Sequence, residues 1–302
     1  GDQTYTWYQG EYYPDVLTNG TPYTFTVTTR DINGNLGAAV TIGSTPPHEG
    51  TLAQRIAAAS SGDTITLYKD EAIPAAIGIN KTITLVGYDS EKTLELVQNG
   101  NMFNVTAGGG LTLTYDVTLK GKSGNNASLV QANSGGTLVM ESGSKLSGNI
   151  HSSGYGGGVE MAVGATVTMN GGEISGNESA RGSGVFMYGG TFTVNNGTIS
   201  GNKAQFGAGV FMNSGTFTMK GGEISGNTAD LGGGVHVGMG NGTFKKESGG
   251  TIYGSNEADS TLRNTAGSGH AVYHQSGRYR NTTLGPSDDI STASLTSPPW
   301  NQ

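Results

Sequence analysis

The chain has 302 residues, a formal net charge of −7 at pH 7, 53 Gly, 8 Pro and no Cys. No basic cluster offers the phosphate-neutralising surface that nucleic-acid binding requires, so no nucleic-acid partner is expected. The lack of Cys excludes disulfides and cysteine metal sites. No apolar stretch approaches the roughly 20 residues of a membrane span, so we expect no membrane insertion of this chain.

The first segment, residues 1–46, differs in character from the rest of the chain. Its pattern predicts a strand and a turn within residues 19–35 and a second strand through residues 40–42. This arrangement resembles the last strands of a fibronectin type III module. The resemblance implies a partial β segment, which either completes a domain that begins upstream or packs on the domain that follows.

A short helix is predicted at residues 51–59. Thr51 is a favourable N-cap residue, and Leu52 and Ile56 lie four positions apart, so they share one apolar face. Because a β-solenoid must protect its terminal coils from edge-to-edge pairing, we expect this helix to cap the next domain.

An internal repeat of about 25 residues predicts a domain at residues 47–285, with its regular coils at 110–276 and a polar tail at 286–302. On the pattern Gly-Thr-x-Thr-Met, the predicted coil starts are Thr112, Thr137, Thr166, Thr191, Thr216 and Thr243. Each unit contains three short, glycine-bounded segments of alternating apolar residues, for example GTFTM, EISGN and GGVHV. This pattern predicts an all-β chain that forms a single-stranded parallel β-helix, a solenoid of short strands.

Alternation along the segments predicts the inward-facing rows, because residues two apart share one face of a strand. The first predicted row is Leu113, Leu138, Val167, Phe192, Phe217 and Phe244. The other two are Leu146, Ile174, Ile199, Ile224 and Ile252, and Val159, Val185, Val210, Val235 and Val272. A ladder of stacked turn amides is predicted at Asn149, Asn177, Asn202 and Asn227.

The stretch at 224–235, Ile-Ser-Gly-Asn-Thr-Ala-Asp-Leu-Gly-Gly-Gly-Val, resembles a known bacterial repeat. It is similar to the repeat of chlamydial polymorphic outer membrane proteins and of related right-handed β-helix repeat proteins of bacterial surfaces. The resemblance covers about half of the chain. It implies right-handed coils, an extracellular or bacterial cell-surface location, and a role as an adhesin or an autotransporter passenger domain.

The outward positions of the third strand segment in each repeat predict a binding surface. These positions hold Glu160, Phe186, Phe211, His236 and Tyr273, with Tyr188 two residues beyond Phe186 on the same side. We expect an exposed aromatic stripe that binds a glycan or a host or cell-surface protein, which would make the chain a non-catalytic adhesion or ligand-binding module. Two alternatives are that a loop, the N-terminal segment or a second subunit covers the stripe, or that the in/out phase is reversed.

The first of the three strand segments in each repeat predicts a different surface, made of two outward threonine columns. The threonines are Thr112 and Thr114, Thr166 and Thr168, Thr191 and Thr193, and Thr216 and Thr218. Val139 and Lys245 interrupt the columns. Because such Thr-x-Thr arrays resemble those of ice-binding β-solenoids, ice binding is a minor alternative function.

A carbohydrate-active enzyme, either a polysaccharide lyase or a glycoside hydrolase, is the other alternative, because many β-helices are such enzymes. Glu173 and Glu223 occupy equivalent positions two coils apart, which corresponds to about 9.6 Å of stacking. This is close to the upper limit of roughly 6.5–9.5 Å for inverting carboxylate pairs. Acidic residues are otherwise isolated on predicted turns, so the sequence predicts no catalytic residue, metal site or cofactor.

Overall fold

The computed structural model describes residues 23–30, 36–44, 50–240, 242–247, 249–255, 258–274 and 300–301. The chain divides into two compact units, Gly1–Ala58 and Ala59–Gln302. In the first unit, Tyr23–Arg30 pairs antiparallel with Leu36–Ser44, which confirms the two predicted strands. Their likeness to a fibronectin type III module stays a prediction.

The predicted helix forms at Leu52–Ala58. The Thr51 backbone amide donates to Gln54 Oε1 at 2.8 Å, and the Gln54 backbone amide donates to Thr51 Oγ1 at 3.4 Å. This reciprocal capping box satisfies amide groups that a helix start leaves unpaired, so it explains why the helix begins here. Leu52 and Ile56 are both buried, as the apolar spacing predicts.

The second unit is a parallel β-solenoid of about seven turns, built on three sheets, each with eight successive parallel strands among the described residues. The first sheet contains Asp63–Leu67, Thr82–Gly87, Gly110–Leu113, Thr137–Met140, Thr166–Met169, Thr191–Val194, Gly215–Met219 and Gly242–Lys246, with Trp300–Asn301 added antiparallel. The second sheet contains Glu71–Ile73, Lys92–Leu96, Val117–Lys120, Lys145–Ser147, Glu173–Ser175, Thr198–Ser200, Glu223–Ser225 and Thr251–Ile252. The third sheet contains Ile77–Ile79, Phe103–Val105, Val130–Ala132, Val159–Met161, Val185–Met187, Val210–Met212, Val235–Val237 and Val272–His274.

The inward rows of the second and third sheets lie in the predicted register and are buried. The first row needs one correction. Leu138 pairs with Leu111, whereas Leu113 pairs with Met140, so the alignment of Thr112 with Thr137 was wrong by two residues. Since side-chain direction repeats every two residues, this shift leaves Leu113 in the core but moves it to the neighbouring inward column.

The asparagine ladder is confirmed, and it extends by one residue at each end. Its members are Asn125, Asn149, Asn177, Asn202, Asn227 and Asn264, all buried. The Asn177 side-chain amide donates to Asn202 Oδ1 at 3.1 Å, and the Asn202 amide donates in turn to Asn227 Oδ1 at 3.0 Å. Each amide thus satisfies a neighbour inside the solenoid, where an unpaired polar group would be costly.

A fourth, shorter ladder links the turn segments that join the second sheet to the third. Ile150–Tyr155 pairs in parallel with Glu178–Arg181, and single bridges continue the column from Arg181 through Phe206 and Leu231 to Ser268. This ladder gives the turn segments a fixed position beside the third sheet, and the candidate site lies along it.

Candidate functional site

The predicted stripe residues form one continuous column on the third sheet. Glu160 pairs with Phe186, Phe186 with Phe211, Phe211 with His236, and His236 with Tyr273. The predicted alignment is therefore confirmed. In the central strands the flanking residues are fully buried in the core, so the column faces away from it.

The expectation that this stripe is exposed was wrong for its central members. Phe186 is only 3% exposed, Phe211 5% and His236 1%. Glu160 and Tyr273 are half-buried, and Tyr188, at 39%, is the one predicted site residue that is largely exposed. The stripe is covered, as one of the alternatives anticipated, and the cover comes from the chain's own turn segments.

A left-handed glycine before each strand explains the cover. Gly182 and Gly207 have φ values of 60° and 58°, a conformation that side-chain-bearing residues rarely adopt. A Cβ on Gly182 would lie 2.7 Å from the Phe186 Cα, and one on Gly207 would lie 2.9 Å from the Phe211 Cα. Glycine thus lets each turn segment run directly against the outward face of the sheet.

The covered rings form a five-membered stack in which Tyr155, from a turn segment, precedes the four aromatic members of the column. Tyr155 stacks on Phe186 at 4.8 Å between centroids, and Phe186 stacks on Phe211 at 5.3 Å. His236 follows Phe211 at 4.7 Å, and Tyr273 follows His236 at 4.9 Å. Phe186 and Phe211 therefore each have a ring stacked on both faces, whereas His236 is stacked on Phe211 and meets Tyr273 at a tilt of 45°.

Two rows of side chains flank this stack, and we call the stack with its two flanking walls the aromatic trough. One wall is the turn ladder, with Arg181 and Phe206. The other wall lies just after the third-sheet strands: Tyr188 and Asn213 directly follow their strands, and Met239, which is 77% exposed, lies two residues after its strand. The Tyr188 ring meets the Phe186 ring edge to face at 4.6 Å, so it covers the trough in that coil.

A pocket opens in the trough one coil further on, where Asn213 takes the position that Tyr188 fills. It has a volume of about 280 Å³ and is lined by Arg181, Phe206, Phe211, Asn213, His236 and Met239. Phe211 and His236 form its floor. The pocket thus joins two of the predicted site residues with four that the sequence did not single out.

Aromatic rings hold the Arg181 guanidinium at the pocket. Its central carbon lies 5.2 Å from the Phe206 centroid, 5.6 Å from that of Tyr155 and 5.8 Å from that of Phe211. These distances are within the range of cation–π attraction. Within the described part of the chain, no carboxylate forms an ion pair with Arg181.

Burial also alters the ionisation of two side chains at the covered end of the trough. Desolvation raises the pKa of the Glu160 carboxyl above its ordinary value. The pKa of the Tyr188 hydroxyl is raised as well, first by desolvation and then by the nearby negative charge of Glu160, while Arg181 acts in the opposite direction. Neither group lines the pocket, so Arg181 is the one permanently charged side chain in its lining.

The sequence does contain a signal for the missed wall residues. Tyr155, Arg181 and Phe206 each lie four residues before the first valine of a third-sheet strand, at Val159, Val185 and Val210. A constant offset within a solenoid repeat places such residues in one column. Nothing in that offset, however, indicates that their side chains fold over the sheet and not into solvent.

The threonine columns form on the outward side of the first sheet and are longer than predicted. One column contains Thr64, Thr84, Thr112, Thr168, Thr193 and Thr218, with Val139 between Thr112 and Thr168 and Lys245 after Thr218. The other contains Thr82, Thr137, Thr166, Thr191, Thr216 and Thr243, with Gly110 after Thr82. Thr114 follows its strand and lies outside both columns.

The two candidate carboxylates, Glu173 and Glu223, lie in register two coils apart on the second sheet, with Thr198 between them. Glu173 pairs with Lys145 at 3.3 Å between Nζ and Oε1, and Glu223 accepts from the Tyr253 hydroxyl at 3.5 Å. The described residues contain no group of three or more His, Asp or Glu side chains that could hold a metal ion.

The fold and the trough define this protein as a parallel β-solenoid with a lateral pocket. Comparison of the chain with protein-family models, with curated proteins and with solved structures finds no match in any of the three. In the part of the chain that the structure describes, no helix is long and apolar enough to cross a membrane.

Proposed function

We propose that this chain is a non-catalytic, extracellular module of a bacterial surface or secreted protein, and that it binds glycans through the aromatic trough. The observation that carries the proposal is the pocket over Phe211 and His236, with aromatic, amide and guanidinium groups on its walls. Binding sites for small ligands combine a mostly apolar lining with a few polar groups in this way. A volume of about 280 Å³ leaves room for about one ring-sized group, such as the terminal sugar of a glycan.

The location and the handedness of the coils belong to the same proposal. The repeat at 224–235 is similar to repeats of bacterial surface proteins, which act as adhesins or passenger domains. Connections between parallel strands of one sheet are right-handed in about 98% of cases, which supports right-handed coils here. On this view the helix at Leu52–Ala58 caps the N-terminal coil.

A glycan array with a pocket-filling variant tests the proposal. Asn213→Tyr repeats the arrangement of the previous coil, in which Tyr188 covers Phe186, and it removes no stacked ring. We expect the wild-type chain to bind glycans and Asn213→Tyr to lose at least tenfold in affinity. Asn196→Tyr is the matched control, because Asn196 is an exposed residue in the turn after a first-sheet strand and lies outside the pocket.

The same samples test the enzymatic alternative. Release of reducing or unsaturated ends from the bound polysaccharides would contradict the non-catalytic role and would direct attention to Glu173 and Glu223. Failure of the wild-type chain to bind any glycan would contradict the proposal itself and leave a protein ligand as the remaining partner.

The length of the threonine columns favours ice binding as a second candidate function. Twelve threonines repeat about 4.8 Å apart between coils and about 6.8 Å apart within strands, on one sheet face. If this face binds ice, the chain lowers the freezing point of water below its melting point, and Thr193→Tyr abolishes the effect. Absence of any thermal hysteresis at millimolar protein would eliminate this candidate.

A further inference from the structure

The pocket in the aromatic trough has a charge and a shape that favour one class of glycan. We infer that it takes an acidic sugar, whose carboxylate pairs with Arg181 while the ring rests on the floor of the pocket. This inference rests on the proposed glycan-binding function and names the ligand chemistry for the same site.

The floor of the pocket is the first reason. Phe211 is stacked between Phe186 and His236, at 5.3 and 4.7 Å, so neither of its faces is open to a ligand. His236 is stacked on Phe211, and the Tyr273 ring lies tilted by 45° against it at 4.9 Å. A neutral sugar binds best to the face of an aromatic ring, whereas the edge that these rings present carries the positive end of the quadrupole. An aromatic floor made of edges therefore favours a negatively charged group.

The charge of the walls is the second reason. The six lining residues include one guanidinium and no carboxylate. Arg181 makes no ion pair within the described residues, and three aromatic rings hold its guanidinium at the mouth of the pocket. Because the group is already positioned, a ligand that pairs with it loses little additional side-chain entropy. A planar guanidinium binds a carboxylate through two parallel hydrogen bonds, which adds geometric selectivity to the charge.

The size of the pocket and the position of Asn213 favour a sugar acid over an acidic peptide. An amide that both donates and accepts can meet the vicinal hydroxyl groups of a sugar ring on the wall opposite Arg181. The pocket has room for about one ring, about 280 Å³, and not for an extended chain with several acidic side chains.

Matched pairs of glycans test the inference. The probes are oligosaccharides that end in N-acetylneuraminate or glucuronate, each compared with the same oligosaccharide after reduction of its carboxyl group to an alcohol. We expect the wild-type chain to bind at least one acidic form at least tenfold more tightly than its reduced partner. Arg181→Gln should remove this preference, whereas Lys203→Gln should keep it, since Lys203 is an exposed cation on the same turn ladder that pairs with Glu178.

The outcomes separate this inference from the proposed function. Equal affinity for the acidic and reduced forms, with binding still lost in Asn213→Tyr, would overturn the acidic-sugar inference and leave glycan binding standing. An acidic preference that persists in Arg181→Gln would also overturn it. Binding of a glutamate-rich peptide with no binding of any glycan would overturn both. The wild-type comparison requires no variant, and a melting temperature for Arg181→Gln verifies that the variant is folded.

Discussion

At the scale of single residues, the aromatic side chains of the trough stabilise the fold and shape a surface at once. Phe211 points away from the core, yet it is 5% exposed because a turn segment and its ring neighbours cover it. Tyr188 belongs to the same cluster and is 39% exposed. The contribution of an aromatic ring in the trough to the free energy of unfolding therefore depends on how far neighbouring side chains bury it, and not on which face of the strand it occupies.

Substitution of Phe211 measures how much the burial of this ring contributes to the free energy of unfolding. Phe211→Ala should lower the free energy of unfolding by about 3 kcal/mol, because it leaves a cavity between two stacked rings. Tyr188→Ala should cost less than about 1 kcal/mol, since much of that ring already contacts water. Chemical denaturation of the two variants provides the comparison, and equal losses would contradict the burial of Phe211.

The asparagine ladder makes a second prediction at this scale. Asn202→Ala removes the acceptor of the Asn177 amide and the donor to the Ile174 carbonyl, both in the interior. We expect a loss of about 2–3 kcal/mol in the free energy of unfolding. Asn195→Ala, which removes only an exposed hydrogen bond to Asn170, should stay within about 0.5 kcal/mol of wild type in the same denaturant titration. If Asn202→Ala also changed the free energy of unfolding by no more than about 0.5 kcal/mol, the asparagine ladder would contribute little to stability.

At the scale of elements, alternation predicts the strands and their inward rows, because a side-chain period of two is a property of any strand. The Thr112 alignment failed because a shift of two residues keeps every side chain on its face, and only the hydrogen-bonded partner distinguishes the two registers. The sequence left open whether Phe186 is covered, for a different reason. The cover depends on Tyr155 and on a left-handed turn at Gly182, which connect neighbouring coils and leave no periodic pattern within one strand.

The last parallel strand of the first sheet, Gly242–Lys246, carries an unusual core residue. Lys246 pairs with Met219 and is 0% exposed, in a column that otherwise contains aliphatic side chains and methionine. Its Nζ donates to the Glu247 and Gly249 carbonyls at 3.2 and 3.3 Å. Burial lowers the pKa of the Lys246 ammonium from its ordinary value of 10.5. The charged form is therefore less favourable in the folded chain than in the unfolded chain.

This burial predicts a specific dependence of stability on pH. As the pH rises from the lowered pKa of Lys246 towards 10.5, the unfolded chain retains a proton that the folded chain has released, so Lys246 makes stability increase with pH. Lys246→Met should remove that increase and should stabilise the chain at pH 7 by about 1 kcal/mol. Unfolding titrations at pH 7 and pH 10 measure both effects. Lys245→Met, at the exposed neighbouring position, should leave the pH dependence unchanged, and a less stable Lys246→Met at pH 7 would refute the prediction.

At the scale of the whole molecule, each coil of the solenoid packs only on the coils before and after it. Stability should therefore be greatest in the middle and decline towards the ends, because a terminal coil has one neighbour and not two. We expect amide hydrogen exchange in Val185–Met187 and Val210–Met212 to be at least about tenfold slower than in Thr251–Ile252. Uniform protection along the chain would mean that the coils unfold as one unit.

The pocket is assembled from several coils of the solenoid. Arg181, Phe211 and His236 come from three successive coils, so the geometry of the site depends on coil-to-coil stacking, and each of these coils has a neighbour on both sides. The sequence predicts the column that supplies Phe211 and His236. It does not predict the pocket, because the pocket arises where Asn213 follows Tyr188 on the wall, and its walls meet only in the folded solenoid.

The measurement that tests the binding role most directly is a map of ligand-induced amide chemical shifts, recorded by NMR during titration with the glycan that the array selects. We predict that the shifted amides cluster at Arg181, Phe206, Phe211, Asn213 and His236 and their immediate neighbours. Shifts confined to the threonine columns of the first sheet, or to the surface around Glu173 and Glu223, would contradict this prediction.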